Sequence, residues 1–163
     1  METQELYNYL HEYFEYLNGN LHYKKQIHYS KNKGDIAGYI HSSGYWHICI
    51  KQKLYKTHRL IFLYHYKYLP KEIDHIDRNK LNNRIENLRE ATHSQNMLNR
   101  KKHKTNKSGY KGVSWYSGNK KWKAQVCVNY KVIHLGYFET PELAYEAYCD
   151  YCKNNLNTLF FRA

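Results

Sequence analysis

The stretch DHIDRNKLNNRIENLREATHSQN, from Asp74 to Asn96, decides the fold and the chemistry that we expect of this chain. It begins with a carboxylate beside an imidazole, at Asp74 and His75. A run of asparagines follows, at Asn79, Asn82, Asn83 and Asn87, and the stretch ends at Asn96. Hydrolysis of a phosphodiester needs an activated water, charge neutralisation at the phosphate and stabilisation of the leaving oxygen, and a hard cation can supply the last two. The stretch therefore predicts a metal-dependent phosphodiesterase.

A helix start is predicted near the end of this stretch. Thr92 and Gln95 have the spacing of an N-cap residue and its N3 partner, and Asn96 follows in the first turn. Because Mg²⁺ prefers oxygen ligands and keeps several waters, the Asp74 carboxylate and the Asn96 amide oxygen would suffice to hold one ion. His75 titrates near neutrality, so it can accept the proton of the attacking water.

A second interpretation stays open on these residues alone. A two-residue pattern such as Asp-His arises often by chance, and asparagines also form turns. Adjacent residues of an extended segment point to opposite sides, so Asp74 and His75 serve one site only through a bend, a water or a phosphate bridge.

The charge of the chain predicts a polyanionic partner. Its 163 residues are enough for one ordinary domain or two small ones, and Lys+Arg is 26 against Asp+Glu 14, a formal net charge of +12. This surplus favours nucleic acid first and a membrane surface second. No apolar run approaches the ~18 residues of a membrane span, and the acidic N-terminus is unlike a secretory signal. We expect a cytoplasmic protein of a bacterium or a virus-infected cell, with its four cysteines as free thiols.

The first hundred residues alternate between helical and strand patterns. Helices are predicted over residues 1–12, from a Thr57 cap to Pro70, and from Thr92 to about residue 100. A hairpin is predicted over residues 13–23 around Asn18-Gly19, and a second β unit over residues 35–50. Residues 101–109 (KKHKTNKSG) contain no apolar side chain, so they predict a basic linker between two domains.

The C-terminal part has a different pattern. Strands are predicted over residues 110–116, 121–129 and 131–138, and Thr140-Pro141-Glu142 is typical of a helix start. The helix can cover only one face of such a sheet. The other face is rich in lysine and would be free to bind.

The motif residues of the first part have a family resemblance. They are His58-Arg59-Leu60, Pro70, Asp74-His75-Ile76-Asp77, the run from Asn82 to Arg89, Thr92 and Asn96. With them the segment 58–99 resembles the HNH homing-endonuclease family, which has the ββα-metal site. A weaker resemblance over residues 13–57 extends the expected nuclease domain to residues 1–100, with its core at about 57–100.

The resemblance implies a role for each matching residue. His75 is expected to be the general base, and Asn87 to orient that base and brace the loop. Asp74 and Asn96 are expected to hold one divalent ion. The asparagine in the last position favours a hard ion such as Mg²⁺, which Mn²⁺ can replace, over Zn²⁺.

Two further motif residues and one cysteine pair have less defined roles. The guanidinium of Arg59 suits a phosphate contact. For His58 a packed or hydrogen-bonded role is favoured over a catalytic one. The Cys149-x-x-Cys152 pair lacks a second pair at zinc-finger spacing, so zinc is the less favoured interpretation.

Residues 109–153 resemble the Apetala/ethylene-response-factor type of DNA-binding domain. The matching residues are Tyr110-Lys111-Gly112-Val113, Trp122-Lys123-Ala124, Leu135-Gly136-Tyr137-Phe138, Thr140, Ala144 and Ala147-Tyr148. The resemblance implies a domain over residues 110–163 whose sheet lies in the major groove. The implied DNA contacts are Lys111, Ser114, Tyr116, Gln125, Cys127 and His134, with phosphate contacts from Lys120, Lys121 and Lys123.

Together these patterns predict an α+β protein with an N-terminal HNH ββα-metal nuclease domain and a C-terminal three-stranded antiparallel sheet packed on one helix. The expected function is a site-specific homing endonuclease acting on double-stranded DNA, as a monomer or a dimer. The alternatives are a DNA-binding regulator with a non-cutting nuclease fold, a non-specific or defence nuclease, and an RNA-binding protein.

Overall fold

The fold was obtained as a computed structural model, which describes residues 1–100, 102 and 105–156. The chain divides into two compact units, Met1–Glu90 and a second that begins at Ala91. Residues 101, 103 and 104 of the predicted linker, and residues 157–163 of the predicted second domain, lie outside the described residues. The division into domains 1–100 and 110–163 stays a prediction.

The first unit, with the strand that leads out of it, mixes short strands and helices. Its elements are α1 (Thr3–Tyr13), β1 (Phe14–Leu17), β2 (Asn20–Tyr23), β3 (Tyr39–Ile40), β4 (Trp46–Ile50), β5 (Lys53–Lys56), α2 (Thr57–Tyr66), β6 (Glu72–His75), a 3-10 turn (Ile85–Asn87) and β7 (Leu88–Ala91). The strands form a β1-β2 hairpin, a β3-β4-β5 sheet and a β6-β7 pair.

The hairpin follows from its turn residues. Asn18 and Gly19 both have positive φ, 48° and 88°, as a two-residue turn with an Asn-Gly sequence requires. The register pairs Leu17 with Asn20, which confirms the predicted turn. Phe14 and Leu21 from its two strands are then buried in the core of the first unit.

Two details of α2 differ from the expectation. Lys56 occupies the N-cap position, and Thr57 is the first helical residue, with a buried hydroxyl that has no hydrogen-bond partner among the described residues. The helix ends at Tyr66, ahead of Pro70, because Lys67 adopts a left-handed conformation with φ 64° and its N–H bonds to the carbonyl of Leu63. The left-handed residue, not the proline, stops the helix.

The second unit contains a sheet and two helices. Its elements are α3 (His93–Asn99), β8 (Val113–Tyr116), β9 (Lys121–Val128), β10 (Lys131–Phe138) and α4 (Pro141–Asn155). The three strands are antiparallel in the order β10-β9-β8. The α+β class is confirmed.

The helix caps of the second unit follow the sequence signals. The Thr92 hydroxyl accepts from the Gln95 N–H, and the Gln95 side chain accepts from the Thr92 N–H, so the predicted capping box is confirmed. Thr140 caps α4 by accepting from the Leu143 N–H, with proline at the first turn. Tyr148 and Cys152 of α4 are buried in a cluster with Val126 of β9.

None of the helices in the described part of the chain has the length and apolar character needed to cross a bilayer.

A glycine is required where the chain enters β3. Gly38 has a φ of +96°, and a Cβ built on it would lie 2.1 Å from the carbonyl oxygen of His47 and 2.8 Å from Nε1 of Trp46. The indole is fixed there because Nε1 donates to the carbonyl of Ala37 over 2.7 Å. The His47 carbonyl belongs to the backbone of paired strand β4, and the indole can move only by breaking its bond to Ala37.

We therefore expect Gly38→Ala to lower the free energy of unfolding by about 3 kcal/mol, since backbone strain adds to a clash with fixed groups. The matched control is Gly34→Ala, at φ +90° with nothing within 4 Å of the added Cβ. In this variant the free energy of unfolding should fall by only about 1–2 kcal/mol, the cost of the conformational strain alone. Urea unfolding measures both, and equal losses would contradict the role given to close packing.

Candidate active site

Strand β6 ends in the two residues that the sequence singled out. Asp74 and His75 are 5% and 6% exposed. Their side chains bond to different elements: Asp74 pairs with Arg89 on β7, and His75 with Asn83 in the loop that joins the two strands. Different partners are what adjacent residues of an extended strand require.

The His75 imidazole is oriented by an amide. Its Nε2 lies 3.0 Å from Oδ1 of Asn83, and the Asn83 side chain is itself buried. An amide oxygen can only accept, so Nε2 carries the hydrogen and Nδ1 holds the lone pair of the neutral ring. Burial lowers the pKa of His75, and this outweighs the opposing effects of the Asn83 hydrogen bond, Asp77 and Asp74. The ring is thus a neutral base with a defined tautomer.

Asn87 braces the loop that carries Asn83. Its Oδ1 accepts from the Asp77 N–H at 3.0 Å, and its Nδ2 donates to Oδ1 of Asp77 at 2.9 Å and to the carbonyl of Asn82 at 2.8 Å. Asn87 was expected to brace the loop and to orient the base, and these contacts are of the bracing kind. The side chain in direct contact with the imidazole is that of Asn83.

The carboxylate of Asp77 is the other half of this brace. It accepts from Nδ2 of Asn82 at 2.7 Å and from the N–H of Asn79 at 2.8 Å, besides Asn87. Burial alone would raise the pKa of Asp77, but the hydrogen bonds from Asn82, Asn79 and Asn87 together outweigh it and hold the pKa below its usual range. The loop is therefore built around an ionised carboxylate.

Asp74 forms a largely buried ion pair with Arg89. Oδ2 of Asp74 accepts from Nε of Arg89 at 2.9 Å and from Nη2 at 2.6 Å. The two side chains are 6% and 16% exposed. Loss of either partner would remove this pairing from a buried charge, which is destabilising. The arginine fixes the orientation of the carboxylate that was predicted to bind metal.

His58 packs against the predicted base. It is 5% exposed, its ring centroid lies 4.9 Å from that of His75 with the planes at 74°, and its Nδ1 has no hydrogen-bond partner among the described residues. Burial lowers the pKa of His58 to about 3, with smaller contributions from His75 and from the charges of Lys56 and Arg59. A neutral imidazole therefore forms one wall of the His75 site.

The predicted metal ligands are one carboxylate and one amide oxygen, a donor set that suits a hard cation. Asp74 belongs to the first unit, while Asn96 lies on α3 in the second and is partly buried. The described residues contain no group of three or more His, Cys, Asp or Glu side chains arranged around a common point. The metal site stays a prediction.

Most of the predicted DNA-contacting residues share one face of the second unit's sheet. Val113, Ala124 and Val126 are buried on the face that α4 covers, and alternate residues of a strand point to the opposite face. On that outer face lie Ser114, Tyr116, Lys121, Lys123, Gln125 and His134. Tyr137 was missed from the sequence, and its ring lies 5.2 Å from Tyr116 and 4.5 Å from His134.

Arg59 and Lys111 bond to the protein backbone. Nη2 and Nη1 of Arg59 donate to the carbonyls of Pro70 and Lys71, at 3.0 and 3.3 Å. Nζ of Lys111 donates to the carbonyls of Met97 and Leu98 at the end of α3, where a cation also complements the helix dipole. Each therefore has a structural function, and a DNA contact from either stays a prediction.

Sequence reasoning assigned no role to three residues of this site. Asn83 and Arg89 lie inside the motif, so their position was a signal, but nothing in the sequence singled out Asn83 among the asparagines. Tyr45, whose ring centroid lies 6.1 Å from that of His75, had no signal, because it reaches the site from the turn before β4, which is distant in sequence.

Comparison with known proteins finds similarity over part of the chain. Residues 55–98 match the family model described as HNH endonuclease. A stretch of 54 residues is 46% identical to Protein 3.8 of Escherichia phage T7, and the match covers 33% of this chain and 45% of that protein. The chain thus spans less than half the length of this relative. No solved structure matches the chain. The family match supports the HNH resemblance and a nuclease function, whereas the homing type and the second DNA-binding domain stay predictions.

The buried His58 should make stability depend on pH. Its pKa is about 3 in the folded chain and about 6.5 when unfolded, so between these values the unfolded chain binds the extra proton. The stabilising contribution of the neutral, buried His58 is complete above pH 6.5. Below pH 6.5, the buried His58 lowers the free energy of unfolding by up to about 1.4 kcal/mol for each pH unit by which the pH falls.

We expect His58→Phe to show a shallower loss of stability than the wild type between pH 6.5 and pH 5, measured by urea unfolding at each pH. His28→Gln is the matched control, because this imidazole is exposed and the variant should keep the wild-type slope. A His58→Phe slope equal to that of the wild type would show that His58 is protonated without cost in the folded chain.

Proposed function

We propose that this protein is a site-specific, divalent-metal-dependent DNA endonuclease of the homing type. His75 is its general base, and Asp74 and Asn96 hold the metal ion. The observation that carries the proposal is the hydrogen bond from Nε2 of His75 to Asn83, within a braced loop of the segment that matches the HNH endonuclease model. This bond places the ring hydrogen on Nε2 and makes Nδ1 the nitrogen that carries the lone pair.

The proposed reaction is hydrolysis of one phosphodiester bond. A water oxygen attacks the phosphorus, its proton passes to Nδ1 of His75, the bond to the 3′ oxygen breaks, and the leaving 3′ oxygen takes up a proton from solvent. When bound, a Mg²⁺ or Mn²⁺ ion neutralises charge at the phosphate and stabilises the leaving oxygen. The products are a 5′-phosphate and a 3′-hydroxyl. With one His75 per chain, a monomer nicks one strand, and a double-strand break needs a dimer or a second event.

The second unit is proposed to supply binding to double-stranded DNA. The exposed sheet face defined above carries lysines, the Gln125 amide and aromatic rings, and the chain has a net charge of +12. Lysines of this face would contact phosphates and give affinity, while Gln125 and His134 would reach base edges and give part of the specificity. The protein is proposed to act in the cytoplasm of a bacterium or of a virus-infected cell.

One observation favours a second candidate, a sequence-specific regulator that binds DNA without cutting it. The Asp74 carboxylate is already paired with Arg89 through two hydrogen bonds to one oxygen. A cation competes with this guanidinium for the carboxylate, so weak metal binding would leave a DNA-binding protein with a nuclease fold.

The test is cleavage of supercoiled plasmids carrying candidate target DNA, in Mg²⁺, in Mn²⁺ and in EDTA. We expect metal-dependent relaxation by the wild type, and a rate lower by about 10²–10⁴-fold for His75→Ala, the contribution of a general base. His28→Ala removes an exposed imidazole from the same unit and should cleave at the wild-type rate. Linear product would indicate that both strands are cut.

Absence of cleavage by the wild type in both metals, with DNA binding retained in a gel shift, would contradict the nuclease proposal and support the regulator. Equal cleavage by the wild type and His75→Ala would keep the nuclease but remove His75 as its base.

A further inference from the structure

Two lysines converge on one tyrosine ring beside His75. Nζ of Lys56 lies 4.6 Å from the ring centroid of Tyr45, and Nζ of Lys80 lies 4.5 Å from it. The three residues come from the turn before β4, the end of β5 and the loop after β6. We call them the Tyr45 cluster. In the described part of the chain neither ammonium group pairs with a carboxylate.

The cluster is close to the base. The ring centroid of Tyr45 lies 6.1 Å from that of His75 and 5.3 Å from that of His58. The charges are within electrostatic reach of these histidines as well, since Lys80 lowers the pKa of His75 and Lys56 lowers that of His58. The ammonium groups therefore border the place where His75 would meet its substrate.

The position of the cluster is set by hydrogen bonds. The carbonyl of Tyr45 accepts from the backbone N–H of His41 at 2.9 Å. Nζ of Lys80 donates to the carbonyl of Ser43 at 3.1 Å, in the same turn as Tyr45. The loop after β6 is thereby tied to the turn before β4.

The two positive charges of the cluster would attract an anion. Each ammonium is attracted to the ring face, while the two like charges, both within 4.6 Å of one ring centroid, repel each other. A phosphate near both would be attracted to each and would relieve that repulsion. A DNA strand carries one such charge per nucleotide.

We propose that Lys56 and Lys80 bind the backbone phosphate of the DNA strand that is cut, beside the bond that His75 hydrolyses. Tyr45 is the positioning residue that holds both ammonium groups at this place. The inference rests on the proposed nuclease function and deepens it, because it states which residues of the first unit bind the DNA strand at the cut site.

The test compares Lys56→Gln and Lys80→Gln with a matched control, Lys53→Gln. Lys53 lies on the same strand as Lys56, carries the same charge, and has its Nζ 5.4 Å from the ring of Tyr55. Cleavage is measured in Mg²⁺ under single-turnover conditions, and binding is measured at several salt concentrations in EDTA, on the same plasmid-derived duplex.

We expect each of Lys56→Gln and Lys80→Gln to cleave about 10-fold more slowly and to reduce the salt dependence of log Kd by about one unit of slope. Lys53→Gln should match the wild type in both. Tyr45→Leu keeps both charges, so it should slow cleavage by misplacing them while keeping a salt slope close to that of the wild type.

Failure of this inference is distinct from failure of the proposed function. If the wild type cleaves, His75→Ala does not, and Lys56→Gln and Lys80→Gln behave like Lys53→Gln, the nuclease stands and the phosphate site is overturned. If all three lysine variants lose the same fraction of the cleavage rate, the effect comes from the overall charge of the protein, and the phosphate site is again overturned. If the wild type does not cleave, the phosphate site falls together with the proposed function.

Discussion

The paired hydrogen bonds between Asp77 and Asn87 are the constraint on which the rest of the site depends. They close the loop between β6 and β7, and Asn82 joins them through its own carbonyl and amide. Each such bond is worth only about 1–3 kcal/mol net, but together they fix a long polar segment that has little apolar surface to bury. Because this loop is fixed, Asn83 meets His75 with its amide oxygen.

Burial is what gives the histidines their chemical state. His58 and His75 lie inside the first unit, where the charged form of an imidazole is poorly solvated, so both stay neutral near pH 7. The two carboxylates that act to raise the pKa of the base are held by other groups, Asp74 by Arg89 and Asp77 by the loop amides. His75 is therefore a neutral base near two carboxylates that already have partners, and the cationic Tyr45 cluster lies beside it.

The sequence predicted the features that depend on local chemistry. The Asn18-Gly19 turn, the Thr92 capping box and the Thr140 cap are confirmed because each is set by a few neighbouring residues. Strand β5 was missed because its side chains are mostly exposed and show no alternation. The partner of His75 could not be chosen from sequence, since several asparagines have the same side chain and only the path of the loop selects Asn83.

The most direct measurement is the tautomer of the His75 imidazole, from long-range ¹H–¹⁵N correlations at pH 7 in protein labelled at histidine. If the braced loop holds Asn83 against His75, the imidazole should be neutral, with its hydrogen on Nε2 and an unprotonated Nδ1. In Asn83→Ala this preference should be lost, which also assigns the signal. A ring protonated on Nδ1, or on both nitrogens, in the wild-type protein would contradict the claim that this loop prepares His75 as a base.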